Sequence, residues 1–233
     1  MSQYNEKLFS GGWRTRLHHM RFHWLRRHLP DSPGSFTLFE LGCFDCRSLQ
    51  HIPKPSHYVG ADAGWEGGLN DAQMTFGTRN DMELVHASTS LDLARFQEQK
   101  FDYTIALETL EHIPDGLLIG YIEFLAKVTG KRCFISVPVE VGPVFLAKHI
   151  AKKLGPNLQN GETEAYTLRE VYWATRGRAS HVKRFEHKGF DYRQLLETLR
   201  RYFVIEAIEG LPFTAYPFLS FQVGIIASPK SPV

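Results

Sequence analysis

The chain has 233 residues, 43% of them hydrophobic and 22% charged, with a formal net charge of +2. That size and balance suit one sizeable soluble domain with a real core, and no apolar run approaches the ~18 residues of a membrane span. Three cysteines are too few for a disulfide framework, so a reducing, cytoplasmic setting is expected.

Residues 13–29 are the first helix candidate. Trp13, Leu17, Met20 and Trp24 form an apolar stripe, which Leu25 and Leu29 widen, and Arg14, Arg16, Arg21, Arg26 and Arg27 lie mostly beside it. Residues 1–30 carry six Lys/Arg against one Glu, and this segment lacks the apolar core of a secretion signal. From residue 36 onward, short apolar runs alternate with helical patterns. FTLFEL (36–41), HYVGAD (57–62), MELVHA (82–87), FDYTIAL (101–107) and RCFISV (132–137) each read as a buried strand. Between the last two, residues 115–128 carry Leu118, Ile122 and Leu125 at helical spacing. The alternation predicts a parallel sheet with right-handed crossovers.

Residues 139–188 have no strand pattern and contain GPNLQNGET, a loop by its Gly, Pro and Asn content. The span 140–190 is basic, with nine Lys/Arg against five Glu. A helix near 191–202 follows, then YFVIEAIEG and LSFQVGIIA, joined by LPFTAYPF. These two strands are expected to form an antiparallel hairpin at one edge of the sheet. With two basic segments on an otherwise acidic body, an anionic partner is expected near those segments.

Gly42 ends the first strand and Asp62 the second, twenty positions on. A glycine lets backbone approach a ligand closely, and a carboxylate there accepts both hydroxyls of a ribose. Cys43 and Cys46 also spell Cys-x-x-Cys before a predicted helix, which opens a redox reading. That reading gives Glu40, Asp62 and LEHIPD (110–115) no role.

Taken together, ELGCFDCRSL, YVGADAG and FDYTIALETLEHIPD resemble class I S-adenosylmethionine-dependent methyltransferases, in the group that acts on small molecules. The resemblance covers roughly residues 35–140, and HVKRF near 181. It implies an α/β fold: a Rossmann-like, doubly wound, mostly parallel sheet with an antiparallel C-terminal strand. Residues 1–30 would be a cap helix, and residues 31–233 the catalytic domain, with 139–188 a lid inserted after the fifth strand. Implied cofactor contacts are Glu40, Gly42, Cys43, Asp62, Ala63, Ser88, Leu107 and Glu108. Phe44 and Cys46 replace the second and third glycines of the family's first motif, so the loop is expected to forgo the positive φ angles that glycine allows.

The implied reaction is methyl transfer from S-adenosylmethionine to oxygen on a small or glycan-type, anionic acceptor. A non-catalytic adenosylmethionine-binding module and an RNA-end ribose methyltransferase stand as alternatives. Nucleic acid is not the expected partner, since no aromatic-and-basic single-strand module is visible. Residues 13–29 would either cap the site or lie on an anionic membrane surface. His112 and His181 are the expected catalytic bases or orienting groups, with no metal. An alternative places a divalent ion on Glu108, Glu111, His112 and His181. That set resembles the magnesium site of small-RNA 3′-terminal ribose methyltransferases and of ubiquinone-pathway O-methyltransferases.

Overall fold

The structure, a computed structural model, describes residues 13–154, 166–185 and 187–230. Seven strands make one sheet: β1 (Thr37–Leu41), β2 (His57–Asp62), β3 (Met82–His86), β4 (Phe101–Leu107), β5 (Thr129–Pro138), β6 (Phe203–Leu211) and β7 (Gln222–Pro229). Their order is β3-β2-β1-β4-β5-β7-β6. The first five pair in parallel, while β7 is antiparallel to both β5 and β6. The predicted hairpin therefore forms at one edge, with the last strand inside and β6 outermost. Strand order reverses between β1 and β4, which opens a crevice at their carboxyl ends. Because β6 runs in the same direction as β5, the β6–β7 loop also lies at that carboxyl edge.

Both faces of the sheet are covered, as parallel strands require. On one face α3 (Asp115–Val128) and α6 (Tyr192–Tyr202) bring Ile122, Leu125, Leu195 and Leu199 against Phe39, Ile135 and Ile225. The predicted 115–128 helix thus stands where its period placed it. On the other face α1 (Trp13–His28) and α2 (Gly68–Phe76) close a second cluster, in which Trp24, Leu25 and Leu29 meet Leu38, Phe134 and Ile226. A Cβ on Gly224 would lie 2.4 Å from the Trp24 indole, so that glycine makes room for the helix. Trp24 Nε1 donates to Glu209 Oε2 on β6 at 3.0 Å. Of the apolar stripe of α1, Trp24, Leu25 and Leu29 are buried on the sheet while Leu17 and Met20 are half-buried, which runs against the membrane-foot expectation for residues 13–29.

The segment after β5 carries α4 (Pro143–Leu154), α5 (Leu168–Thr175) and a 3-10 turn at Ala179–His181. They share a small core of Phe145, Ala174 and Val182. Thr167 and Glu170 close a reciprocal capping box at the start of α5. Glu170 also pairs with Lys188 at 3.0 Å, tying α5 to the far end of the segment. The GPNLQNGET loop lies outside the described residues.

Candidate functional site

The carboxyl ends of β1 and β2 build one half of the crevice. Gly42 takes a φ of +74°, and a Cβ there would lie 2.2 Å from Thr109 Oγ1 in the turn after β4. Only glycine satisfies both constraints. Its N–H and that of Cys43 both donate to Ala61 O, at 2.7 and 3.2 Å. The chain then turns through Phe44 (φ 48°) and Cys46 (φ 58°), so the loop does use left-handed backbone without glycine, contrary to the sequence expectation. Each such residue costs about 1–3 kcal/mol, and local bonds hold them there: Phe44 N donates to Asp62 Oδ2 at 3.0 Å and Cys46 N to Cys43 O at 2.7 Å. A 3-10 turn, Arg47–Gln50, follows in place of the expected helix.

Glu40 and Asp62 in this half are already bonded. Glu40 is buried and accepts from Ser48 Oγ and from Tyr58 OH, the latter at 2.6 Å. Burial pushes its carboxyl up to about 7 against the pull of those two donors. Asp62 accepts from Gly64 N at 2.7 Å as well as from Phe44 N, so it holds the loops after β1 and β2 at a fixed spacing. Beyond it Ala63 is exposed and Leu107 buried, while Ser88 is exposed with its N–H donating to Asp92 Oδ2 at 2.9 Å. The two thiols of the loop are buried. The Cys43 thiol's hydrogen bond to Cys46 and burial hold it well above its ordinary range, the reverse of what thiol–disulfide exchange needs. The redox reading ends there.

The turn after β4 is the other half. Glu108 sits at φ 55° with its N–H donating to Ser136 O at 2.9 Å. Thr109 to Ile113 coil through i→i+3 bonds, His112 N to Thr109 O at 3.0 Å among them. That turn aims Glu111 and His112 toward a third residue, His187. The three offer ligand atoms within 4.8 Å of one another, and the two imidazole centroids are 4.3 Å apart. Arg184 Nη2 donates to Glu111 O at 2.7 Å, pinning the turn from the segment that carries His187. Trp65, exposed, stacks on His112 with centroids 6.5 Å apart and leans on Phe44 at 6.1 Å, roofing both halves.

Electrostatics separates this half from the first. Both oxygens of Glu111, Oε1 of Glu108 and Nδ1 of His187 are buried with no hydrogen-bond partner among the described residues. Burial, then repulsion from Glu108, pushes the Glu111 carboxyl far up. Burial also raises Glu108, with Arg21 of α1 and Lys148 of α4 pulling the other way. Burial and the neighbouring His112 lower His187 to about 3, leaving a neutral imidazole whose lone pair is available.

His181, expected in this group, stands apart: it is exposed and stacks on Trp173 at 4.5 Å. His187 takes the place that sequence reasoning gave to His181. The substitution follows from the reversal Phe185–Lys188, closed by mutual backbone bonds of 3.0 and 2.8 Å, which folds His187 back onto His112. Ser48 and Tyr58, the partners of Glu40, also carried no sequence signal.

No family model and no curated protein matches the chain. Among solved structures, one from the Haloferax volcanii complex of the Trm112 methyltransferase activator aligns with TM-score 0.61 and 11% identity, over 99% of this chain and 96% of its own. The methyltransferase domain of bacterial CtHen1-C aligns with TM-score 0.59 and 15% identity, over 92% of this chain and 100% of its own. An S-adenosylmethionine-dependent methyltransferase from Mesorhizobium loti aligns with TM-score 0.53 and 17% identity, over 89% and 97%. This chain has the class I S-adenosylmethionine-dependent methyltransferase fold. In that fold the crevice between β1 and β4 is where strand order reverses, and both halves of the site described above open into it.

Proposed function

We propose that the chain transfers the methyl group of S-adenosylmethionine to an oxygen of a small or glycan-type acceptor. Methyl transfer from a sulfonium is an in-line displacement, and orientation of the reactants can supply roughly 7–11 kcal/mol. In this reading Gly42 and Cys43 present backbone to the cofactor, Asp62 accepts the ribose hydroxyls on its remaining lone pairs, and Ala63 and Ser88 border the adenine. Leu107 and Glu108 border the methionine end. Glu40, already bonded by Ser48 and Tyr58, shapes the loop without touching the cofactor.

The observation that carries the catalytic half is the buried Glu111, without a hydrogen-bond partner among the described residues, beside two imidazoles. A buried carboxylate without partners is costly, and a divalent cation held by Glu111, His112 and His187, with Glu108 alongside, supplies what it lacks. The residues fit such an ion, and the two imidazoles favour manganese or zinc over magnesium. A bound cation lowers the pKa of an acceptor hydroxyl and so removes the need for a strong base. Glu111 and His187 would fix the geometry from within, while the exposed His112 would face the incoming acceptor. This replaces the metal-free pairing of His112 with His181.

The test is an acceptor screen with labelled adenosylmethionine, run before and after chelation. We expect transfer to a hydroxyl acceptor, loss in EDTA, and rescue by Mn²⁺ that fails in Glu111→Ala. Full activity in EDTA rejects the cation and returns the role of base to His112. Cofactor binding without turnover on any hydroxyl acceptor, RNA 3′ ends included, rejects the enzyme reading in favour of a binding module.

A further inference from the structure

The carboxyl edge beside the crevice carries an apolar and basic surface that the reaction does not use. The β6–β7 loop, residues 212–221, has no charged residue and exposes Phe213, Tyr216, Phe218 and Leu219. Helix α4 packs against both this loop and α5. On α5, Leu168 and Tyr172 point outward one helical turn apart, Leu168 at 86% exposure, with Arg176 continuing the stripe. The Arg176 guanidinium lies 5.4 Å from the Tyr172 ring. Arg176 and Phe218 line one cleft of about 210 Å³ with Val139, Pro143 and Tyr192, so the loop and the helix form a continuous surface.

Its charge is one-sided. The acidic residues described between positions 139 and 193 are Glu140, Glu170 and Asp191, paired to Lys148, Lys188 and Arg193. Lys153, Arg169, Arg176 and Arg178 are exposed on the same stretch and have no acidic partner among the described residues. Apolar side chains standing proud of a basic surface suit the interface of an anionic bilayer, where the chains enter the acyl boundary and the cations meet headgroups. Single-stranded nucleic acid calls for stacking faces, which Tyr172, Phe213, Tyr216 and Phe218 could offer, whereas the exposed aliphatic Leu168 and Leu219 and the one-sided charge favour acyl chains and headgroups.

We propose that α5 and the β6–β7 loop dock this protein on an anionic lipid surface, so that the acceptor reaches the crevice as a membrane-borne headgroup. The acceptor part rests on the methyl-transfer reading, whereas docking is measured without turnover. The test is flotation of the full chain with phosphatidylcholine vesicles containing phosphatidylglycerol, and with phosphatidylcholine alone. Binding only to the anionic vesicles is expected, with a loss of about tenfold or more in both Leu168→Ser/Phe218→Ser and Arg169→Glu/Arg176→Glu. Unchanged binding is expected in Arg27→Glu, which alters the exposed side of α1. Melting curves confirm that each variant is folded; should the apolar pair fail to fold, the charge pair decides alone. Absence of flotation, equal binding to neutral vesicles, or wild-type binding by the folded variants overturns the proposal. So does preferential binding of a single-stranded RNA oligonucleotide that the same substitutions abolish. Docking without methyl transfer would instead leave the surface standing and remove the activity.

Discussion

The two halves of the crevice hold carboxylates of equal burial and opposite fate. At the ends of β1 and β2, Glu40 and Asp62 are bonded by Ser48, Tyr58 and the N–H groups of Phe44 and Gly64. Along the same sheet edge, after β4, Glu111 has no partner for either oxygen among the described residues. A satisfied buried carboxylate is architecture: it fixes loops so that a ligand meets them preorganised. An unsatisfied one raises the energy of the free protein and is relieved by a ligand. The difference supports the proposed division, with cofactor binding in the first half and chemistry in the second.

Removing the unsatisfied charge tests this contrast most severely. Glu111→Gln should cost methyl transfer about 10²–10³-fold, roughly 3–4 kcal/mol, while raising the melting temperature of the metal-free chain at neutral pH, because the buried Glu111 carboxyl must take up a proton on folding and glutamine need not. A variant that is both inactive and destabilised would show that Glu111 is architectural after all. In the other half, Glu40 provides a titration. Its carboxyl is raised from 4.5 to about 7, so the folded chain holds a proton that the unfolded chain releases. Stability is then full below about 4.5 and falls as pH rises through about 7, by roughly 3 kcal/mol at most. Urea titrations at pH 5 and pH 8 measure this, and Glu40→Gln should flatten the slope.

Asp62→Ala should weaken adenosylmethionine binding by about 1.5–3 kcal/mol. It should also lower the melting temperature, since the same carboxylate bonds Phe44 N and Gly64 N. Calorimetry on the folded variant showing native affinity would withdraw Asp62 from the cofactor site. The smallest effect separates two histidines of one segment. His181→Ala should stay within about 0.5 kcal/mol of native activity, while His187→Ala should behave like Glu111→Gln. Equal losses in both would break the distinction that the Phe185–Lys188 reversal draws.

Read from its sequence, the chain already yields five parallel strands, the α3 period and the Gly42–Asp62 pair, because these depend on local alternation and on short spacings along the chain. Glu108, Glu111 and His112 were legible for the same reason, lying within a single turn. Three features were decided only in the folded molecule. The side of α1 that meets solvent was set by the groove over Gly224, 200 residues from Trp24 along the chain. The positive φ of Phe44 is unfavourable locally and persists because the Asp62 carboxylate, brought in by β2, holds it. The choice of His187 over His181 was made by a four-residue reversal and by the packing of the inserted segment on the turn after β4. Local pattern fixes elements and their order, whereas contacts between residues distant in sequence carry no signature until the sheet has brought them together.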